Sequence, residues 1–313
     1  MPLREREIKM ILVPPTAEQQ SLLRKLNNED IASRDRDLEA IKQWLKQEPH
    51  LPDALDDDAL LNFLRWGKFS LEKTKKRLDK YFTVRNAFSD FYTRRDITRP
   101  ELQLDPQSFT WTPLPVLSPE GRRICVATSP RCDFHAEDTI SFAKIVVMMA
   151  DIRVYVEEGV HDVYILDASA VLLKNLPNVS ISTIKSFLIC ALEAYPVRIK
   201  ELHIINATPL VSAVMKWAAR FVKDKLMKRV KIHDSLESLH ECFSKDLLPE
   251  ELGGTAGKLA HFRKQWMSTL EEYMEWFIEK EDLKADESKR VEKDVTCGGL
   301  YGVDGTFKRL TID

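Results

Sequence analysis

Apolar residues recur at helical spacing through the first third of the chain. Between residues 16 and 91 they fall three or four positions apart, which predicts amphipathic helices packed into a small bundle. A proline-containing break at 49–52 and the aspartates at 56–58 separate two of these helices, because proline interrupts a helix and aspartate caps the next one. Ser70 marks the start of another helix. We therefore predict a small all-α domain over residues 1–93.

A different pattern follows a proline-rich stretch at 94–121, which we expect to be a crossing linker with at most short extended pieces. The predicted strands are 124–128, 163–166, 202–205 and 230–233, and the predicted helices are 139–158, 180–194 and 209–228. Strands that alternate with helices of this length indicate βαβ units and a mostly parallel sheet. We therefore predict an α/β domain over 94–257, then a C-terminal helix and tail over 258–313. A charge run at 279–293 is expected to be solvated.

The predicted helix at 139–158 is apolar on nearly every side. Such a helix is either packed between two layers or lines an internal space, and Phe142, Met148 and Met149 supply an adaptable lining. An ordinary close-packed core contains the same residue types. The pattern therefore leaves a ligand cavity and a dry core as alternatives.

Positive charge is concentrated in one part of the chain. The 313 residues have a net charge of −2, which argues against a globally basic nucleic-acid binder. Between residues 198 and 231, however, nine cations stand against Glu201 and Asp224: Arg198, Lys200, Lys216, Arg220, Lys223, Lys225, Lys228, Arg229 and Lys231. Such a cluster suits anionic lipid headgroups or phosphates, although a helix that packs on a sheet and exposes its lysines gives the same pattern. A second basic cluster, at 65–80, is explained largely by helix solvation.

Cysteine usage favours a reducing, intracellular setting. Cys125, Cys132, Cys190, Cys242 and Cys297 are scattered and include no CxxC pair, which argues against a disulfide framework and a cysteine-based zinc site. The N-terminal residues show no long apolar run typical of a signal peptide. No window of about 18 apolar residues is present, so we expect any membrane contact to be peripheral.

Catalytic motifs are absent from the sequence. There is no GxGxxG after a strand, no GxxxxGK[ST] and no GxSxG. Asp167 stands at a predicted strand end, where it is either a general acid or base or, as we favour, the cap of a turn with Ser169. His240, Glu241 and Cys242 are adjacent and point to different sides of a helix, so no metal site is expected there. We expect a protein that is not an enzyme and needs no cofactor.

Three linked motifs resemble one family. The stretch DDDALLNFLRWGKFSLEKTKKRLDKYFTVR is similar to the N-terminal helical module of CRAL-TRIO proteins. The segment YPVRIKELHIINATP, followed by a basic amphipathic helix and KDLLPEELGG, resembles the most diagnostic part of their lipid-binding domain, and VYILDAS fits the same pattern. The resemblance covers about residues 37–254 and is closest to the α-tocopherol-transfer-protein and retinaldehyde-binding-protein branch.

The resemblance implies a sheet and helices that enclose one lipid in a deep apolar pocket, with residues 209–228 forming a movable gate at a membrane. By position it implies the pocket residues Phe142, Val146, Met149, Val160, Val163, Ile165, Phe187, Leu188, Ile189, Leu192, Val211, Val214, Met215 and Phe221. The residues that it implies for binding phosphoinositide phosphates are Arg65, Arg198, Lys200, Lys225 and Arg229.

Departures from the family pattern restrict the range of ligands that the resemblance implies. Val197 stands where phosphatidylinositol-transfer members carry glutamate, so we do not expect an inositol headgroup inside the pocket. Phe142 and Val146 replace serines that help to place the tocopherol hydroxyl, which implies a drier pocket. Ala219 replaces the lysine of a gate KPF motif and Arg220 its proline, which implies a straighter gate helix.

These observations together predict a monomeric, cytosolic carrier of a tocopherol-, retinoid- or carotenoid-like lipid. We expect it to visit phosphoinositide-containing membranes transiently and to bind no nucleic acid. The alternatives are a membrane adaptor that senses phosphoinositide without shuttling a ligand, and an enzyme that uses Asp167.

Overall fold

The computed structural model describes residues 11–103, 109–128, 136–169, 180–209, 211, 215–216 and 224–291. Four helices open this part of the chain: α1 (Ala17–Asn27), α2 (Ile31–Gln47), α3 (Asp57–Gly67) and α4 (Leu71–Ala87). Asp56 caps α3 by accepting a hydrogen bond from the Ala59 amide, as the aspartate run predicted. Ser70 precedes α4, but its side chain makes no capping hydrogen bond. The predicted helical bundle is confirmed.

The described residues include one five-stranded sheet with the strands side by side in chain order. The strands are β1 (Thr110–Leu117), β2 (Arg123–Thr128), β3 (His161–Asp167), β4 (Arg198–Ile205) and β5 (Val230–Ile232). Strand β1 pairs antiparallel with β2, and every later pair is parallel. The mostly parallel sheet predicted from the alternating pattern is therefore confirmed.

Strand β1 corrects the expectation of a linker over 94–121. Its eight residues include Pro113 and Pro115, which are poor strand formers because proline has no amide to donate. The strand lies at the edge of the sheet, where one side of the backbone needs no partner strand, and its register shifts between Pro113 and Leu117. Proline content therefore concealed a genuine edge strand.

Helices cover one face of the sheet. Helix α5 (Ala136–Val156) connects β2 to β3, and α6 (Ile181–Ile189) connects β3 to β4 and continues into a π-helical turn at Cys190–Ala194. Each of these crossovers joins neighbouring parallel strands, and the right-handedness of such connections places them on a common face. We call it the helix face. In the segment between β4 and β5, Val211 and Met215 pack on the same face, and the short helix α7 (Asp224–Met227) precedes β5.

The opposite face of the sheet packs against the C-terminal part of the described chain. Helix α8 (Leu236–His240) follows β5, and α9 (Leu259–Glu272) and α10 (Met274–Glu279) come later. Val163 and Ile165 of β3 lie in an apolar cluster with Phe243 and Phe262 from this part. None of the helices in the described ranges has the length and apolarity needed to span a membrane.

The helical bundle and the α/β part share one apolar core. Residues of α2, α3 and α4 pack in the same cluster as α5, α9 and α10. Asp151 of α5, which is 1% exposed, accepts hydrogen bonds from Arg85 of α4, from Arg95 and from Tyr195. The apolar core is therefore continuous across the boundary predicted at residue 93. The predicted domain limits stay predictions.

Part of the predicted solvated run at 279–293 is anchored to the bundle. Arg290 is paired with Asp79 of α4 at 2.8 Å and with Glu287 at 2.6 Å, and its side chain is 10% exposed. Residues 292–313, which include most of the predicted tail, lie outside the described part of the chain.

Candidate functional site

An apolar surface on the helix face marks the candidate ligand site. Ala168, Ile204 and Val211 form its buried centre. The partly buried side chains that pack against them are Leu166, Leu202, Met215 and Val230. These residues come from β3, β4, β5 and the predicted gate, residues 209–228, which we call the gate segment. Val211 and Met215 thus pack against residues of β3 and β4.

Strand alternation decides which residues of β3 reach this surface. Successive side chains of a strand point to opposite faces, and Leu166 lies on the helix face. Tyr164 shares that face, whereas Val163 and Ile165 belong to the cluster on the opposite face. Because a shift of one residue exchanges the two faces, Tyr164 and Leu166 replace Val163 and Ile165 as sheet candidates for the pocket. Val160 is buried just before β3, and its carbonyl accepts the Arg198 amide.

Helix α5 supplies aromatic and aliphatic side chains at one end of the helix face. Phe142 lies 5.3 Å from Phe109 and 6.1 Å from Phe187 of α6, measured between ring centroids. Val146 and Met149 join Phe142 along a cavity of about 20 Å³. That volume admits about one water molecule, so this cavity is not by itself the site of a lipid.

Leu188, Ile189 and Leu192, which the resemblance also assigns to the pocket, are partly buried. Leu188 is half-buried, Ile189 packs against the shared core, and Leu192 belongs to the π-helical turn. The Leu192 carbonyl accepts a hydrogen bond from Arg77 at 2.9 Å. Val214 and Phe221 lie outside the described residues.

Cations gather at the amino ends of the parallel strands. Arg198 and Lys200 belong to β4 itself, which corrects the expectation that they precede the strand. Arg122 directly precedes β2, Arg229 precedes β5, and Lys68 follows α3. Parallel strands begin at the same edge of a sheet, so residues far apart in sequence meet there. We call these five residues the cationic edge.

The electrostatics of Lys200 reflect this crowding. Burial lowers the pKa of Lys200 to about 8, and Arg198, Lys68, Arg122 and Arg229 add to the effect. The same cause, burial followed by the nearby Lys200 and Arg198, lowers the pKa of His161 to about 3. Like charges held together in this way favour an anion that neutralises them.

The arginines and the lysines of the cationic edge differ in their hydrogen bonds and ion pairs. Arg198 donates to the Trp66 carbonyl, Arg229 donates to the Ile199 carbonyl, and Arg122 is paired with the Glu201 carboxylate. Among the hydrogen bonds and ion pairs of the described residues, none involves the ammonium groups of Lys68 and Lys200. These two ammonium groups therefore have no protein partner within the described part of the chain.

Arg65 departs from its expected role. It donates to both carboxylate oxygens of Glu29, at 2.9 and 3.1 Å, and the Glu29 side chain is 2% exposed. A buried carboxylate needs such a partner, so the pair is internal. Arg65 lines a cavity of about 310 Å³ beside Arg24, Glu29 and Glu158, whose charges are mixed. The structure therefore gives Arg65 a structural partner in place of a lipid phosphate.

Lys225 lies on the exposed surface of α7, near the end of the gate segment.

Sequence reasoning missed Lys68 and Arg122 as neighbours of Lys200. Lys68 lies in the second basic cluster, and Arg122 follows a turn that ends the proline-rich stretch. Their contribution depends on the register of the sheet, which charge counting does not reveal.

Asp167 has the turn role that we favoured. Its Oδ1 atom accepts hydrogen bonds from the Ser169 amide at 2.9 Å and from the Asn206 side chain at 3.0 Å. These contacts tie the carboxyl ends of β3 and β4 together where the gate segment begins. The carboxylate serves there as a structural acceptor.

Comparison with known proteins agrees with this geometry. The sequence model described as "CRAL/TRIO domain" matches residues 114–254, and the one described as "Pinta-like, UBA domain" matches residues 30–102. The chain is similar to an "Alpha-tocopherol transfer protein-like" protein of Mus musculus, with 27% identity over 79% of this chain and 73% of the relative. It is also similar to "Clavesin-1" of Xenopus laevis, with 23% identity over 73% of this chain and 70% of the relative.

A solved structure described as "Crystal structure of Sfh5" aligns with 86% of this chain and 98% of its own, at 13% identity and a TM-score of 0.46. The two sequence models match α2 to α4 of the bundle and β2 to β5 of the sheet, in the order that the motifs predicted. Residues 114–254 of the chain therefore form a CRAL/TRIO domain, the domain of a family of lipid-binding and lipid-transfer proteins.

Proposed function

We propose that this protein is a cytosolic, monomeric, non-enzymatic carrier that encloses one small hydrophobic molecule and exchanges it at phosphoinositide-containing membranes. The observation that carries the proposal is the placement of the described residues of the gate segment. The segment begins shortly after Asn206, contributes Val211 and Met215 to the apolar surface, and ends next to Arg229 of the cationic edge. One segment therefore connects an apolar site with an anion site.

The apolar surface supplies the affinity for the ligand. Ile204 and Val211 are almost fully buried, whereas Leu166 and Leu202 keep part of their surface exposed beside them. A ligand that covers such exposed apolar area gains about 25 cal/mol per Å² before the cost of association.

The cationic edge supplies the contact with the membrane. Lys68 and Lys200 present unpaired ammonium groups in the described structure, and Arg198 and Arg229 reinforce the local potential. A phosphoinositide headgroup carries several negative charges, so it neutralises the mutual repulsion of these cations. Lys225, on the exposed end of the gate segment, extends the positive surface towards the bilayer.

Docking and opening are coupled in this proposal. When a headgroup binds beside Arg229, it acts at the end of the gate segment, and movement of that end uncovers the apolar surface. The name of the Mus musculus relative refers to tocopherol, whereas the name Clavesin-1 refers to no ligand. For this chain, Phe142 and Val146 favour a drier pocket, and we propose a tocopherol-, retinoid- or carotenoid-like ligand.

Transfer between vesicles tests the proposal. Donor vesicles contain a fluorescent hydrophobic ligand, and acceptor vesicles contain phosphatidylcholine with or without a few per cent of phosphatidylinositol bisphosphate. A carrier accelerates transfer in proportion to its concentration, and the phosphoinositide raises the rate. Vesicle binding without transfer of tocopherol, retinoid or carotenoid probes would instead identify an adaptor that only senses the membrane.

A further inference from the structure

Two histidines and a cysteine meet on the far side of the sheet from the ligand surface. His203 lies in β4, His233 follows β5, and Cys242 follows α8. One ligating atom from each residue lies within 4.8 Å of the others. His203 Nδ1 and His233 Nε2 are 2.8 Å apart, at hydrogen-bond distance. Imidazole nitrogen and thiolate sulfur in one cluster form a donor set typical of zinc.

The outward nitrogen of each histidine already has an orienting partner. His203 Nε2 lies 3.2 Å from a carboxylate oxygen of Glu201, and His233 Nδ1 lies 2.9 Å from the Ser238 hydroxyl. Zinc-binding histidines usually direct their second nitrogen to a carboxylate or another polar group, because this fixes the tautomer and the ring orientation. The two imidazole rings are also close to parallel, with an interplanar angle of 11°.

The burial of the two histidines also fits a zinc site. His203 is fully buried and His233 is 8% exposed, whereas Cys242 lies at the surface.

We propose that His203, His233 and Cys242 form a zinc site that fastens β5 and α8 to β4. Zinc–nitrogen bonds of about 2.0–2.1 Å with tetrahedral angles need the two nitrogens about 3.3 Å apart. Zinc binding therefore requires the rings to separate by about half an ångström. The exposed position of Cys242 leaves the fourth ligand to a water molecule.

A metal ion in this site would hold β5 against β4. Strand β5 has three residues and follows directly on the gate segment, so few backbone hydrogen bonds hold it at this edge of the sheet. A metal ion bonded to β4, to the residue after β5 and to the residues after α8 anchors the end of that segment. This role is independent of whether the protein carries a lipid.

Metal titration of the full chain, without a histidine tag, tests the proposal. After chelator treatment, the protein is titrated with Zn²⁺ and with Co²⁺, whose thiolate complexes absorb in the near ultraviolet. One equivalent of either ion is expected to bind, and Cys242→Ser is expected to abolish the thiolate-to-cobalt band. Because Cys242 is exposed, this variant is expected to fold, which circular dichroism verifies.

A second pair of variants separates this site from adventitious binding. Ser238→Ala removes the partner of His233 without touching a ligand, and we expect at least a tenfold loss of zinc affinity in competition with a chromophoric chelator. His261→Gln, on the exposed surface of α9, is the matched control and leaves the affinity unchanged. The proposal is overturned if the chain binds no stoichiometric zinc, if Cys242→Ser retains the cobalt band, or if His261→Gln weakens binding as much as Ser238→Ala.

Discussion

Arg198 and Trp66 are joined in both directions across two parts of the chain. The Arg198 guanidinium donates from Nε to the Trp66 carbonyl at 2.8 Å and lies 5.6 Å from the centre of the Trp66 ring. In return, the Trp66 indole donates to the carbonyl of Val197, the neighbour of Arg198, at 3.2 Å. This contact fixes the end of α3 against the start of β4. Replacing Arg198 therefore changes the packing as well as the charge.

Lys200 is the cleaner probe of the cationic edge, because its ammonium group has no ion pair among the described residues. Lys200→Glu is expected to weaken binding to phosphoinositide vesicles about tenfold, since each cation near an anionic surface contributes about 1 kcal/mol and the reversal also adds repulsion. Vesicle sedimentation measures the change. Lys264→Glu, an equal charge change on the exposed surface of α9, is the control, and equal losses from both variants would refute a specific site.

The lowered pKa of Lys200 predicts a pH dependence of membrane binding. Its folded-state pKa of about 8 lies below the ordinary 10.5, so the ammonium form is lost as the pH rises through 8. Phosphate monoesters stay charged over this range, so vesicle affinity is expected to fall about fourfold from pH 7 to pH 9, since one cation contributes about 1 kcal/mol. Lys200→Arg keeps its charge and is expected to show a flat profile. A similar fall in Lys200→Arg would assign the effect to another group.

Filling the apolar surface should exclude the ligand. Leu202 is half-buried beside Ile204 and Val211, and a tryptophan in its place occupies the space that we assign to the lipid. Leu202→Trp is therefore expected to reduce ligand loading and transfer at least tenfold, as measured by fluorescence transfer between vesicles. Leu247→Trp, the same change at a half-buried position on the opposite side of the sheet, is the control and should load ligand normally. Normal loading in Leu202→Trp would show that the lipid binds elsewhere.

Asp151 holds the helical bundle to the α/β part. Asp151→Asn leaves the buried Arg85 and Arg95 without a compensating charge, which typically lowers the free energy of unfolding by about 3–5 kcal/mol. Urea denaturation measures the loss, and Asp37→Asn at an ion pair with the exposed Arg36 is the control. We expect bundle and sheet to unfold in one transition. Two separate transitions would show that they are independent domains.

His161 predicts a loss of stability in mild acid. Its pKa of about 3 lies below the ordinary 6.5, so between these values the unfolded chain binds the extra proton and the folded chain does not. Stability therefore falls as the pH drops below 6.5, and this group accounts for about 2 kcal/mol between pH 7 and pH 5. Thermal unfolding of His161→Phe should show a shallower decline than the wild type. His261→Gln should follow the wild type, and an unchanged slope in His161→Phe would contradict the assignment.

Local patterns were sufficient to predict most of the fold. The helical spacing of apolar residues gave the bundle, and the alternation of short β-branched runs with long helices gave the parallel sheet. Strand β1 was missed because Pro113 and Pro115 argue against a strand unless its edge position is known. The start of β4 was placed too late, since Arg198 and Lys200 are polar residues inside a strand.

The candidate site depends more on tertiary geometry. Alternation along β3 was visible in the sequence, but the face on which Val163 and Ile165 lie depends on where α5 and the C-terminal helices pack. The Arg65–Glu29 pair joins residues 36 positions apart, and His203 and Cys242 are separated by 39 positions. No short motif encodes such contacts. They are created by the register of the sheet and by the packing of helices against it.

The most direct test of the central claim is mass spectrometry of the protein isolated from its own tissue, first intact under native conditions and then as an organic extract. A carrier that encloses one lipid should show one hydrophobic molecule per chain, and Leu202→Trp expressed in the same tissue should lose it. A native mass equal to that of the bare chain, with no enriched lipid in the extract, would contradict the account.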